Sequence, residues 1–127
     1  MKPAQAGAAA ALLWAALEPL DKRLFAHRYS DVEMLGKAAT RSRAWPLAGL
    51  AIHAANGAIF AVAARKLRIR PFRLAMIENV ALYPLSYFVD RHHPAREELA
   101  PLLSVRGFAQ ATARHAVFGL AVEKLEQ

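Results

Sequence analysis

Cysteine is absent from the 127 residues, which excludes disulfides and thiolate metal sites. Acid is scarce, with 10 Asp and Glu against 17 Lys and Arg and a formal net charge of +7. Charge of either sign is missing altogether between positions 4 and 17 and between 44 and 64. An amphipathic helix on a water-soluble protein returns a charge to its wet face every turn or so. The stretch WPLAGLAIHAANGAIFAVAA at 45–64 offers only His53 and Asn56. As a helix it is about 30 Å long, the thickness of a hydrocarbon core.

Charge gathers instead at 21–43, 65–73 and 90–98, between apolar segments. This alternation predicts one transmembrane domain over 1–127, an all-α polytopic membrane four-helix bundle with spans at about 4–25, 45–64, 71–89 and 99–122. Arg65, Lys66, Arg68, Arg70 and Arg73 then form a short loop suited to anionic headgroups, so the positive charge needs no nucleic-acid partner. Ser30 or Asp31 caps a short amphipathic stretch that places Met34 and Leu35 at the membrane interface.

The chain also repeats itself. ALEPL at 16–20 matches ALYPL at 81–85, an offset of 65, and HAANG at 53–57 matches HAVFG at 115–119, an offset of 62. Two parallel two-helix repeats, 1–64 and 65–127, are the simplest explanation. In each copy a glycine, Gly57 or Gly119, lies one helical turn after a histidine and opens a groove for a neighbouring helix.

Ionisable groups within such spans face protein or water. Depths read from helix rise suggest two intramembrane polar pairs. Glu78 and Arg114 lie about 10 and 12 Å from one side, and Glu18 and His53 about 10–12 Å from the other. Asn56, Gln110 and His115 are candidates for a polar path or ligand site beside them. The chain contains no HExxH, paired-carboxylate motif or glycine-rich phosphate loop, so no catalytic residue, metal or cofactor is expected. A b-type haem between His53 and His115 requires both at one level, whereas helix rise puts them about 6 Å apart in depth.

The segments SDVEMLGKAATRSRAWPLAG, HAANG, YPLSYFVDRHHPA and ATARHAVFG resemble small four-span integral membrane proteins of bacteria with no known activity. The expected role is non-catalytic: an accessory or packing subunit that associates with the bilayer and with itself or a larger complex. The expected location is multi-pass in the bacterial inner membrane. A channel or carrier for a small ion or polar solute is the second reading, and a haem protein the third.

Overall fold

The computed structural model describes residues 1–127, all helix, turn and loop, with no strand. The helices are α1 (Pro3–Leu24), α2 (Asp31–Ala39), α3 (Trp45–Leu67), α4 (Pro71–Leu82), α5 (Ser86–His92) and α6 (Val105–Glu126), with a 3-10 turn at Tyr83–Leu85. Proline sets three of the starts: Pro3, Pro46 and Pro71 occupy first-turn positions, where a missing N–H costs no helical bond. Pro84 lies within the 3-10 turn and separates α4 from α5.

Helices α1 and α3 end in the same way. The His27 N–H reaches back to the Lys22 carbonyl and Ala26 N–H to Arg23, while Ile69 reaches Ala64 and Arg68 reaches Arg65. These paired bonds are Schellman closures. The residues that adopt the left-handed conformation there are Ala26 (φ 49) and Arg68 (φ 56), not glycine.

The sixth helix begins at Val105 rather than near 99, because residues 93–104 are held as loop. Asp90 accepts from the Leu102 and Leu103 N–H groups, and Ser104 caps α6 by accepting from Gly107 N–H. His93 is part of the same anchoring. Its Nδ1 accepts from Ala95 N–H, which leaves Nε2 to donate to the Met34 carbonyl at 2.7 Å.

Helices α1 and α3 form one antiparallel pair and α4 and α6 a second, and α1 and α6 join the pairs. The contacts within each pair are made by small residues. A Cβ on Gly57 would meet the Gly7 backbone and Ala11 Cβ; a Cβ on Gly119 would meet Phe72 Cα at 2.6 Å and Ala75 Cβ at 3.1 Å. Helix α2 lies on α3 through a further glycine exchange, Gly36 against the Trp45 carbonyl and Gly49 against the Val32 carbonyl. Met34 and Leu35 consequently line an internal cleft rather than an outer surface.

The buried stripe of α3 reads Gly49, His53, Gly57, Ala61, Ala64, and that of α6 includes Gly107, Gln110, Arg114, Phe118 and Val122. An aromatic cluster supplies the bulk, with Phe118 ring centroids 5.8 Å from Trp14 and 4.9 Å from Phe60. By length and composition, α3 alone is able to cross a membrane. The expected four spans are not reproduced by that criterion. Glu18, Asp21, Lys22 and Arg23 load the end of α1, Pro84 divides the third segment, and Arg106, Arg114, Glu123 and Lys124 punctuate α6.

Candidate functional site

Two polar groupings occupy the interior. The first surrounds Arg114 at the end of the bundle where α1 finishes. Arg114 donates from Nε and Nη2 to the two carboxylate oxygens of Asp21, both at 2.7 Å, from Nη1 to Asp31 at 2.9 Å, and from Nη2 to the Tyr29 carbonyl at 2.8 Å. Glu18 stands 3.9 Å from Nη1. It also accepts from Ser30 Oγ–H at 2.6 Å and from Asp31 N–H at 3.0 Å. Ser30 in turn caps α2 by accepting from Glu33 N–H. One guanidinium thus ties α6 to the end of α1 and the start of α2. A buried charge is tolerated only with this degree of pairing.

Neither expected pair forms. Arg114 meets Asp21 and Asp31 instead of Glu78, and the reason is direction. Helical Cβ atoms tilt toward the helix N-terminus. Helices α4 and α6 are antiparallel, so Glu78 and Arg114 project away from each other. Glu18 meets Ser30, Asp31 and Arg114 instead of His53, for reasons of register. With Gly7 opposite Gly57, His53 faces Ala11, and Glu18 lies seven residues, about 10 Å, further along. Gln110 also belongs to this grouping rather than to a path: its Nε2 donates to Asp21 at 3.0 Å and to the His27 carbonyl at 2.9 Å.

Burial shifts two groups in the adjoining loop. Desolvation holds the His27 imidazole below its usual 6.5, assisted by the Arg114 charge, and raises the Tyr29 phenol well above its usual range. Across the same end, Glu98 accepts from Lys37 and Arg41. Those two cations keep its carboxyl below the ordinary carboxylate range.

The second grouping lines a cleft between the helix pairs, roofed by α2. Two adjoining cavities, about 160 and 220 Å³, share Trp14, Asp31, Met34 and His115. His53, Asn56 and Glu78 line the smaller one. The two repeated histidines converge on a single indole, His53 at 5.4 Å and His115 at 5.2 Å from the Trp14 ring centroid, both edge-on. His115 donates from Nδ1 to the Ala111 carbonyl at 2.7 Å. His53 Nε2 and Trp14 Nε1 are buried without a partner. Glu78 takes no part in any hydrogen bond or ion pair, whereas its neighbour Asn79 bonds Thr112 at 2.9 Å. No three His, Asp or Glu side chains are arranged to hold a metal ion.

Of the residues picked out by sequence, His53, Asn56, Glu78 and His115 therefore come together in the cleft, and Glu18, Gln110 and Arg114 come together in the first grouping, from which Arg114 also borders the larger cavity. Gly57 and Gly119 are contact points between helices. Sequence reasoning missed Asp21, Asp31 and Trp14 as site residues. The available signal was the concentration of three carboxylates within 18–31 and the single arginine in the middle of the last helix.

No known protein family matches the chain, no curated protein matches its sequence, and no solved structure matches its fold.

Proposed function

We propose that the protein is a small integral membrane protein of four spans that acts non-catalytically, as an accessory or packing subunit of a membrane assembly. The observation that carries this reading is the inverted distribution of its side chains. The largest fully buried ones are Gln110 and Val122, and apart from the aromatic cluster around Trp14 and Phe118 the buried interior is chiefly Ala, Gly and polar groups. Large apolar residues point outward on every long helix: Leu12 and Leu13 on α1, Leu47 and Ile59 on α3, Ile77 and Val80 on α4, Val117 and Leu120 on α6. Only 33% of the most apolar stretch of α3 is buried, whereas a core helix of a water-soluble bundle is mostly covered. Lipid is the solvent that accepts such a surface, and small-residue contacts are how helices associate within it. Within the bundle, Arg114 is paired with Asp21 and Asp31, the arrangement that an interior charge requires for insertion.

The contacts also support duplication of a helix pair. Gly7 and Phe72, which receive the two glycines, are 65 residues apart, and Gly57 and Gly119 are 62 apart. These are the offsets of the sequence repeat. The apolar flanks of the molecule are left for partners, either a second copy or a larger subunit, in a multi-pass location in the bacterial inner membrane.

The test is the mass of the complex released from membranes in mild detergent. Co-release with larger subunits or with further copies is the expected result; a protein that fractionates as a lone monomer overturns the subunit role. The cleft favours a second reading, a carrier for a small polar solute. Under that reading Glu78→Gln abolishes flux in liposomes and leaves the assembly intact.

A further inference from the structure

The cleft holds features that packing does not account for, and they do not depend on the subunit role. Its smaller cavity, about 160 Å³, is close to the roughly 150 Å³ that admits one benzene-sized molecule. Trp14, Phe60 and Phe118 supply aromatic wall, and no lysine or arginine lines it. Glu78 brings a carboxylate that makes no hydrogen bond or ion pair, with His115 as its titratable neighbour on the same wall. Asp31, also on the wall, draws on a cation that is already shared. Glu18, Asp21 and Asp31 are balanced by Arg114 and by Lys22, which is 3.8 Å from Glu18, leaving three negative charges against two positive. His53, also on the wall, is 8% exposed.

We propose that the cleft between the two helix pairs binds a small organic cation, an alkylammonium or quaternary ammonium, with Glu78 as its counter-charge. Aromatic rings attract such cations through their negatively polarised faces, and a carboxylate in a confined site adds charge complementarity. An anionic guest is disfavoured by Glu78 and Asp31. A neutral guest of the same shape leaves the carboxylate unpaired.

The protein carries two tryptophans, Trp14 and Trp45, so Trp45→Phe leaves Trp14 as the only indole reporter in the cleft. Purified full-length protein in detergent is titrated with choline and, separately, with 3,3-dimethyl-1-butanol, which replaces the ammonium nitrogen by carbon. The expected result is a saturable change in Trp14 emission with choline and none with the alcohol over the same concentrations. Glu78→Gln is expected to weaken choline binding by roughly tenfold or more. An equal response to the two compounds, or no saturable response to choline, overturns the proposal. So does a Glu78→Gln protein that keeps its helical melt and binds choline as before. Should that variant fail to fold, the choline and alcohol comparison in the parent protein decides alone.

Discussion

Arg114 and Asp21 face each other through two hydrogen bonds of 2.7 Å across 93 residues of chain. Their meeting closes the bundle: α6, the last helix, is fastened to the end of the first. The Arg114 side chain is 3% exposed, so its removal leaves Asp21, Asp31 and Glu18 facing one another without their common cation. Arg114→Met is expected to cost roughly 3–5 kcal/mol, the penalty for breaking a buried pair from one side. Arg114→Lys keeps the charge but loses the two-pronged geometry, and is expected to fall between the two. Thermal unfolding in detergent followed by circular dichroism ranks the three proteins.

The glycine contacts make a second prediction. A Cβ at Gly57 runs into the Gly7 backbone, which cannot yield as a flexible side chain would. Gly57→Ala should destabilise by about 1–3 kcal/mol through forced separation of α1 and α3. Gly119→Ala should do the same to α4 and α6, because Phe72 Cα stands at 2.6 Å. Ala55→Ser, at an exposed position of α3, is the control and should change stability little.

Ala26 gives a prediction of opposite sign. Its φ of 49 places an L-residue in the left-handed region at the end of α1, at a cost of roughly 1–2 kcal/mol. Ala26→Gly removes that penalty, offset in part by the greater freedom of glycine in the unfolded chain. A net gain of about 0.5–1 kcal/mol is expected, seen as a higher melting temperature.

A fourth prediction concerns acid. Burial lowers the folded-state pKa of His27 below the usual 6.5, so the unfolded chain binds the proton more readily. Its contribution is complete above about pH 6.5 and declines as the pH falls from there toward the lowered value. Between about pH 7.5 and 5.5 the melting temperature should fall, and His27→Gln should show a shallower decline. The bond from Gln110 goes to the His27 carbonyl rather than the ring, so the variant keeps that anchor. Equal declines in the two proteins would assign the acid sensitivity elsewhere.

Some of this organisation is readable without coordinates. The charge-free runs at 4–17 and 44–64 locate α1 and α3, since nothing within them breaks a helix. The two offsets of the repeat coincide with the two glycine contacts, because a small residue at a close approach leaves a mark in composition. Pairing of charges is not readable in the same way. It depends on the register of α1 against α3 and on the tilt of each Cβ, which reversed the expected partners of Glu18, His53, Glu78 and Arg114. The late start of α6 was equally hidden, because Asp90 and His93 hold the 93–104 loop through contacts distant in sequence. Trp14 reads as one apolar residue among many; only the fold shows that both repeated histidines converge on it.

Membrane embedding of all four long helical segments is tested most directly by cysteine labelling, for which a chain without native cysteine is suited. Single cysteines replace Leu13, Ile59, Val80 and Val117, outward-facing positions near the middle of each segment, and Arg68 in the α3–α4 loop. Membranes are then treated with a water-soluble maleimide before and after detergent. The expected result is labelling of the Arg68→Cys protein, in intact or opened vesicles according to its side, and protection of all four mid-helix cysteines until the membrane is dissolved. Ready labelling of Leu13→Cys, Val80→Cys and Val117→Cys in opened vesicles without detergent would contradict the four-span bundle and leave α3 as the sole candidate span.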